Sequence, residues 1–473
     1  MAGLTDRAAK FIVETSFSDI PDSAVKVAKN AILDCCGVTV AALKDPVAQI
    51  ILDYSVDRLG PPSATIFGSG IKTSSEDAAF ANSVLAHALD YDDVHVVCGG
   101  HVSSVLVPAI LALGEELGAS GDKIVSAYCI GFELIYRLGQ QMASQSIPLG
   151  FHTTGLWGPV GTAAAAASLL GLDADQARMA LAIAASSSAG LAGNFGTMTK
   201  GYHSGNGARA GLAAAKLAQK GFTGSPDILE RDRGFIGTFS QAPVAPDAMD
   251  TLGDVYALSQ GVEFKLYPSC GKTQSAIDSA LRLVTEHDLA ADDIEQIVCE
   301  ASDLLPRIAL IHQNPVNGLQ AKFSMQYVIA TVILDRAAGL AQFADEAVLR
   351  PEIQALMRKF TYVHPEELRG HAGFMKNEKI TLRLRDGREV SHHENRADGV
   401  LGGTVTTENL IEKYRNCLND VLSPATIDRT LTLICDLEKL ENVGELTALL
   451  GGAAADMRHT ARPMSSTLLP ERG

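Results

Sequence analysis

The sequence predicts a mainly α-helical protein that also contains a smaller α+β unit with an antiparallel sheet. Apolar residues recur at helical spacing through most of the first 260 residues, and alternating, β-branched segments appear only between about 266 and 395. Helical patterns then return after about residue 405. Aromatic residues make up 5% of the chain, whereas alanine and glycine are abundant. The helices are therefore expected to pack closely through small side chains.

This change in the pattern of apolar and polar residues divides the 473 residues into three segments. Residues 1–265 are expected to form the first part of a helical domain, and residues 266–395 an α+β domain. Residues 396–473 are expected to complete the helical domain. The α+β unit is thus predicted to be inserted between two parts of one helical domain, which agrees with the usual size of domains.

The first helix is predicted over residues 22–43 by an apolar stripe of Val25, Ala28, Ile32, Cys36 and Val40. A second helix is predicted to begin at Ser74-Ser75, because acidic residues in the following turn suit the helix dipole. Five more helices are predicted over 103–118, 121–140, 158–171, 175–190 and 207–220. Gly221 is a suitable residue to end the last of them.

The strand predictions all fall in the α+β unit. Residues 295–301 and 360–363 mix β-branched and aromatic residues with polar ones. Residues 379–391 alternate between apolar and polar side chains around Asp386-Gly387, a strong hairpin signal. After this unit, Ser423-Pro424 provides an N-cap and first-turn pair for a helix.

Charge and composition exclude several classes of protein. A net charge of −16 argues against a nucleic-acid partner, which needs a basic surface. The uncharged stretches 155–172 and 180–199 are rich in small residues, so buried helices are expected and no membrane partner. The first residues lack a secretory pattern, and the eight cysteines show no Cys-x-x-Cys spacing. We therefore expect reduced thiols and a cytoplasmic location.

The densest group of reactive residues lies between positions 87 and 101, where the second helix ends. It consists of three carboxylates and three imidazoles: Asp90, Asp92, Asp93, His87, His95 and His101. Carboxylates at a helix C-terminus oppose the helix dipole, and such a local conflict points to function. Three interpretations stay open at this point: aspartates that cap a turn, a metal site, or a catalytic acid/base group.

Two further segments could meet an anion. The glycine- and threonine-rich segment 150–158 precedes a helix and places His152 at its mouth, although a buried, hydrogen-bonded core histidine is the alternative. In segment 198–209, Lys200 and Arg209 follow some 20 uncharged residues. Cations in an apolar stretch need an anion nearby, either a bound carboxylate or an aspartate of the first group.

Segments 264–274 and 320–327 lie at the domain junction and inside the α+β unit. The first carries Lys272 and Gln274, and junctions are favoured positions for ligand clefts. The second opens a helix with a lysine and Tyr327. Cys270 has no evident activating partner, so we do not expect a thiol nucleophile.

Together these segments resemble the MmgE/PrpD family over nearly the whole chain. The resemblance rests on five ordered motifs: His87-Ala-Leu-Asp-Tyr-Asp-Asp, Gly150-Phe-His, Thr199-Lys with His203-Ser-Gly-Asn-Gly-Ala-Arg, Lys265-Leu-Tyr-Pro-Ser-Cys and Ala321-Lys-Phe-Ser-Met-Gln-Tyr. The family includes 2-methylcitrate dehydratase, cis-aconitate decarboxylase and iminodisuccinate epimerase. The resemblance implies a large all-helical domain with a smaller α+β lid domain, a homodimer, and no metal or organic cofactor.

The resemblance also implies an active site in the cleft between the domains. Its expected catalytic residues are Asp90, His101, His152, Lys200 and Tyr327, and its expected substrate-binding residues are Asp93, Arg209, Lys272 and Gln274. Two positions depart from the family pattern. Val94 stands where decarboxylase-like members commonly carry threonine, and Gln274 stands where many members carry histidine.

The resemblance implies a cofactor-independent lyase that acts on a small di- or tricarboxylate at the carbon next to a carboxylate, and the residue types at the expected site fit such a reaction. Lys200, supported by Arg209, is expected to hold a substrate carboxylate, and Tyr327 to donate a hydrogen bond or relay a proton. His152 is the expected base or proton donor, and His101, oriented by Asp90, the complementary acid. The alternatives are an epimerase of an acidic substrate, a protein that binds an acidic metabolite without catalysis, and a metal-dependent hydrolase.

Overall fold

The computed structural model describes residues 3–241, 243–370, 378–393 and 405–452. In chain order, its first α-helices are α1 (Leu4–Glu14), α2 (Asp22–Ala41), α3 (Pro46–Val56), α4 (Ser75–Ala88), α5 (Ser103–Leu117), α6 (Gly121–Ser146), α7 (Thr153–Leu169), α8 (Ala174–Ala185), α9 (Thr199–Gln219), α10 (Phe235–Ser240) and α11 (Gln274–Glu286). They are followed by α12 (Leu305–Ile308), α13 (Gly318–Ala321), α14 (Met325–Asp335), α15 (Asp345–Val348), α16 (Pro351–Met357), α17 (Thr407–Leu418), α18 (Pro424–Cys435) and α19 (Gly444–Gly451). The protein is therefore mainly α, as the sequence predicts.

Six strands form two small sheets in the described residues. Strands β1 (Ala64–Thr65) and β2 (Lys72–Thr73) make a short antiparallel pair. Strands β3 (Ile294–Glu300), β4 (Phe360–Val363), β5 (Lys379–Leu384) and β6 (Glu389–His393) make a four-stranded sheet in the order β4-β3-β5-β6. The β5–β6 hairpin turns at Asp386-Gly387, where Gly387 has a φ of +88°. This confirms the predicted hairpin.

One strand pair corrects the prediction of an antiparallel sheet. β3 runs parallel to β4, with Ile297 opposite Phe360, while the other two pairings are antiparallel. A parallel pair needs a long crossover connection, and the helical segments between residues 301 and 359 provide one. The composition of a four-residue strand does not encode its direction.

Small residues set the packing of the helical part. The backbone of α9 approaches α4 so closely that a Cβ on Gly205 would lie 2.8 Å from the carbonyl oxygen of Phe80. A larger residue at this position would push the helices apart. The contact brings the first turn of α9 next to the last turn of α4, where the most reactive residues lie.

Four helix boundaries differ from the predictions by five residues or more, and one of them is the end of α6, at Ser146 rather than 140. α7 begins at Thr153 rather than 158, α9 begins at Thr199 rather than 207, and α8 ends at Ala185 rather than 190. The early turns of α7 and α9 are rich in glycine, which has low helix propensity, so the sequence pattern favours loops there. Burial of these turns against neighbouring helices overrides that preference. The caps at Ser74 and Ser423 are as predicted, each accepting a backbone N–H three residues on.

The buried side chains form two separate clusters. One includes apolar residues from Leu4 to Phe264 together with residues from Leu410 to Leu450, and the other includes residues from Ala276 to Leu384. The C-terminal helices thus pack on the first cluster, whereas the sheet and α11–α16 make the second, called the lid below. The exact division at residues 265 and 395 stays a prediction, and part of the segment 396–473 lies outside the described residues.

Among the described helices, none alone combines the length and apolar character that a bilayer crossing requires. Residues 22–44 and 46–56 meet the criterion as a pair, but the two are bent by 93° relative to each other.

Candidate active site

A cavity of about 110 Å³ lies between the helical part and the lid. From the helical part it is lined by Asp90, His101, His152, Phe195 and Lys200, and from the junction and lid by Glu263, Cys270, Lys272 and Phe323. The rings of Phe195 and Phe323 stack with their centroids 5.7 Å apart, which closes the cavity on one side. Four of the expected catalytic residues therefore share one space.

The segment after α4 carries Asp90 and His101, two of the four expected catalytic residues that line the cavity. Asp90 has a φ of +51°, a left-handed conformation that non-glycine residues adopt at a cost. The chain then makes backbone hydrogen bonds in both directions between Val94 and Glu263, at 2.9 Å each. The strained turn aims the Asp90 carboxylate at α9, and the bridge fastens the segment to the domain junction.

Asp90 is held between two ammonium groups. Its Oδ1 lies 2.7 Å from Nζ of Lys200 and 3.1 Å from Nζ of Lys265. Burial by itself would raise the pKa of Asp90, but the two lysines more than offset it and hold this pKa well below its ordinary value. The carboxylate is therefore ionised. The internal ion pair that the sequence left open as an alternative for Lys200 is present.

Two imidazoles share the carboxylate of Asp92. Nδ1 of His87 lies 2.8 Å from Oδ2 of Asp92, and Nδ1 of His101 lies 3.1 Å from the same oxygen. Nζ of Lys200 donates to Nε2 of His87 at 2.9 Å, so His87 carries its proton on Nδ1. The distance from Nε2 of His101 to Asp90 is 3.7 Å. Asp92, rather than the expected Asp90, is the nearer carboxylate to His101.

The histidines of the site are neutral. Burial lowers the pKa of His87 to about 3 even though Asp92 opposes this shift. Burial also lowers the pKa of His101, and burial with Lys200 lowers that of His152 well below its ordinary value. A neutral imidazole can accept a proton from a substrate carbon, and it can return that proton once charged.

His152 has its own hydrogen-bond partner. It stands at the N-cap of α7, and its Nδ1 lies 2.9 Å from Nδ1 of His203 on α9. Its ring stacks on His87 with an interplanar angle of 12° and meets Phe195 edge-on. His152 is thus both a hydrogen-bonded buried histidine and a cavity-lining group, so the two interpretations of the sequence apply together.

Of the expected substrate-binding residues, Lys272 lines the cavity. Asp93 and Gln274 serve the surrounding structure. Asp93 accepts a hydrogen bond from the hydroxyl of Ser103, and burial raises its pKa to about 8. The side chain of Gln274 accepts from the backbone N–H groups of residues 266 and 267 and donates to the carbonyl of Ser269. Neither residue is among those that line the cavity.

Tyr327 and Arg209 are also not among the described residues that line the cavity. Tyr327 is fully buried in the lid core, and its hydroxyl donates to the carbonyl oxygen of Gln342. The guanidinium of Arg209 lies 4.5 Å from the centroid of the Phe80 ring. Both residues occur in motifs next to the site, but their helices turn these side chains away from it. The geometry therefore assigns them structural contacts.

The structure adds four residues that the sequence analysis did not select: His87, Asp92, His203 and Lys265. His87 and Asp92 lie in the densest reactive group, and His203 lies in the same segment as Lys200. The sequence feature that could have identified Lys265 is its position as a cation directly between Phe264 and Leu266. A charged residue inside an apolar run needs a buried partner, which here is Asp90.

Four side chains of the candidate site could also hold a metal ion. The ligand atoms of His87, Asp90, Asp92 and His101 lie within 4.8 Å of one another. However, the ammonium of Lys200 already contacts Asp90 and His87. A fixed positive charge next to these atoms opposes the binding of a cation, so the donor set fits a metal poorly.

Fold and site together define a helical protein with an α+β lid, whose cavity offers ammonium and imidazole groups to an anion. Models of the MmgE/PrpD N-terminal and C-terminal domains match residues 6–246 and 267–439, respectively. The chain belongs to the MmgE/PrpD family.

Curated relatives agree with this assignment. The chain is 30% identical over 467 residues to cis-aconitate decarboxylase of Homo sapiens, covering 96% of the chain and 95% of that protein. It is 25% identical over 472 residues to cis-aconitate decarboxylase of Aspergillus terreus, covering 95% and 96%. A probable 2-methylcitrate dehydratase of Saccharomyces cerevisiae is 25% identical over 385 residues, covering 76% and 73%. These similarities support a lyase-like function.

Proposed function

We propose that the protein is a cofactor-independent lyase that acts on a small di- or tricarboxylate at the carbon next to a carboxylate. The observation that carries this proposal is the buried contact between Lys200 and Asp90, with the neutral imidazoles of His101 and His152 on the wall of the same cavity. Cations that face an anionic substrate and imidazoles at the reacting carbon are what such a reaction requires.

The proposed division of labour follows from the positions of the groups. Lys200 and Lys272 bind substrate carboxylates, and Lys200 stabilises the negative charge that develops as a bond to the reacting carbon breaks. In a decarboxylation, the electron pair of the broken C–C bond stays on the substrate and CO₂ leaves. The carbon then receives a proton from an imidazole that has first taken this proton up from water. In a dehydration, one neutral imidazole removes the carbon-bound proton. The hydroxyl leaves as water with a proton donated by the second imidazole, which has first taken that proton up from solvent.

Asp92 orients both His87 and His101, which lets it stabilise an imidazolium when one forms. His152 lacks a carboxylate partner and instead contacts His203. We assign His101 as the histidine whose charged form is the more stable of the two. His152 is assigned as the histidine that is harder to protonate. Both histidines line the cavity, so the opposite assignment of acid and base is the alternative.

Decarboxylation is the first activity to test. The cis-aconitate decarboxylases of Homo sapiens and Aspergillus terreus match along 95% or more of the chain, whereas a probable 2-methylcitrate dehydratase of Saccharomyces cerevisiae matches 76% of it. The purified protein is incubated separately with cis-aconitate and with 2-methylcitrate, and products are identified by mass spectrometry. Loss of one CO₂ or of one water supports the lyase proposal. No turnover with these or other small polycarboxylates contradicts it.

Epimerisation is the second candidate, because it needs two proton carriers, and the rings of His101 and His152 contact different groups, Asp92 and His203. Incubation in D₂O distinguishes it. Deuterium that enters the substrate without loss of mass as water or CO₂ favours an epimerase, and tight binding without exchange favours a non-catalytic binding protein. The expected homodimer and cytoplasmic location stay predictions.

A further inference from the structure

Three lysines bind three consecutive carbonyl oxygens at the end of α4. Nζ of Lys322 donates to the carbonyl of Leu89 at 2.6 Å, and Nζ of Lys265 donates to that of Asp90 at 2.8 Å. A third lysine, Lys413, donates to the carbonyl of Tyr91 at 2.7 Å. The three lysines come from the lid, the domain junction and α17. This arrangement is called the lysine clamp below.

The clamp acts on the turn that aims Asp90. Carbonyl groups at a helix C-terminus lack partners within the helix and carry partial negative charge, so ammonium groups stabilise them. Here the ammonium groups also donate hydrogen bonds to the carbonyls on either side of Asp90, the residue with positive φ. Such a conformation persists only where its surroundings enforce it. The clamp supplies that enforcement at residues 89, 90 and 91.

Lys322 differs from the other two because it belongs to the lid. It directly follows α13, its side chain is 3% exposed, and its carbonyl oxygen accepts the backbone N–H of Cys270 at 3.0 Å. Cys270 lines the cavity, and so does Phe323, the residue that follows Lys322 in the chain. Lys322 therefore connects the cavity wall of the lid directly to the residue before Asp90.

A small second space shares Asp90, Lys200 and Phe323 with the larger cavity as lining residues. It has a volume of about 20 Å³ and is lined by Asp45, His87, Asp90, Lys200 and Lys322, among others. Lys322 lines this second space and is not among the described residues that line the larger cavity. It can act on the reaction through Asp90 and not by touching the substrate.

We infer that Lys322 is a positioning residue that couples the seating of the lid to the orientation of the Asp90 carboxylate. This inference rests on the proposed function. When the lid is seated, Lys322 holds the carbonyl of Leu89 and fixes the turn, so that Asp90 aligns Lys200 for the substrate. When the lid moves away, the turn loses this contact, and the catalytic groups lose their alignment.

The test compares two lysine variants of the full-length protein. Lys322→Met removes the ammonium from the clamp. Lys359→Met is the matched control, because Lys359 is also in the lid and its Nζ also donates to a backbone carbonyl, that of Ile294 at 2.6 Å. We expect kcat to fall about 10²-fold in Lys322→Met with little change in KM, since a small misplacement of catalytic groups costs that much. The control should keep its kcat.

Hydrogen–deuterium exchange gives a readout that does not need turnover. In Lys322→Met, amide exchange should accelerate in peptides covering residues 87–95, and the control should leave those peptides unchanged. Lys322→Gln keeps a donor group on a shorter side chain, so both effects should be smaller. This variant also serves if Lys322→Met fails to fold.

The results separate the inference from the proposed function. Faster exchange at residues 87–95 together with a selective fall in kcat supports the inference. Unchanged exchange and unchanged kcat in Lys322→Met overturn it, as would an equal response of the control. If the wild-type protein turns over no polycarboxylate, the proposed function fails, and the exchange measurement still decides whether Lys322 holds the turn.

Discussion

Nζ of Lys200 lies 2.7 Å from Oδ1 of Asp90, and the two side chains are only 7% and 4% exposed. A buried ion pair is weak evidence for stability, because removing two charges from water offsets much of their attraction. Here the same ammonium also donates to His87, which in turn holds Asp92. The pair is therefore better explained as the start of a chain of charged and neutral groups that reaches His101.

Replacing Lys200 by methionine should reduce kcat/KM by about 10²–10³-fold, because the cation that stabilises developing charge is lost. The fold should survive, since Lys265 still lies 3.1 Å from Asp90. Steady-state kinetics on the substrate found by mass spectrometry, with circular dichroism as a check of folding, provide the measurement.

The control for this variant is Lys216→Met. Lys216 lies on the same helix, α9, but its Nζ pairs with Glu76 and Glu116 at the surface. Its replacement should leave kcat/KM unchanged. Near-normal turnover of Lys200→Met would mean that the anchoring role belongs to another group.

Replacing Tyr327 by phenylalanine tests a residue on which sequence motif and geometry disagree. The motif implies a catalytic hydroxyl, but this hydroxyl donates to the carbonyl of Gln342 inside the lid. We expect kcat/KM within about twofold of wild type and a loss of roughly 1–3 kcal/mol in the free energy of unfolding, the usual cost of leaving a buried carbonyl without its donor. A large fall in kcat with unchanged stability would restore the catalytic role.

Much of the fold could be predicted because its signals are local. Apolar periodicity predicted helices such as α2. Ser74 and Ser423 predicted where two helices begin, and Asp386-Gly387 predicted the hairpin. The early starts of α7 and α9 could not be predicted from local preference. Their glycines lower helix propensity, and only contacts with other helices, such as that of Gly205 with Phe80, make them helical.

The site could be predicted in part for a similar reason. Asp90, His101, His152 and Lys200 stand out as reactive residues in otherwise apolar or conflicting contexts, and they do share the cavity. The direction of a side chain depends on tertiary packing, which the motifs do not show. In the motif 321–327 the sequence drew attention to the tyrosine, whereas Lys322 is the residue that reaches the catalytic turn.

The stability of the protein should depend on pH through its buried histidines. The pKa of His87 is lowered to about 3 in the folded protein, against roughly 6.5 in an unfolded chain. Between these values the unfolded state binds the extra proton, so the free energy of unfolding rises with pH across this window. One such histidine contributes a slope of up to about 1.4 kcal/mol per pH unit.

The free energy of unfolding of His87→Asn should therefore rise less steeply with pH between about pH 5 and about pH 6. The difference in slope from the wild-type protein should correspond to the binding of up to about one proton. Urea unfolding at these two pH values measures it. Asp90 and Asp92 do not affect the slope here, because their pKa values are lowered and act only at more acidic pH. Asp93, whose pKa is raised to about 8, is present in both proteins, so its contribution cancels in the comparison. His287→Asn, at an exposed position, is the control. An unchanged slope in His87→Asn would show that this imidazole is charged in the folded protein.

Turnover should survive the removal of metal ions. His87, Asp90, Asp92 and His101 resemble a ligand set, but Nζ of Lys200 lies 2.7 Å from Oδ1 of Asp90 and 2.9 Å from Nε2 of His87. A divalent ion at these atoms would have to displace the ammonium or sit beside it, and two positive charges so close in a buried site repel strongly. We expect the same kcat before and after prolonged dialysis against EDTA, and no increase when Zn²⁺, Mn²⁺ or Mg²⁺ is added. Loss of activity on dialysis with recovery on adding one of these ions would show that the metal-dependent interpretation of the aspartate and histidine cluster is the correct one.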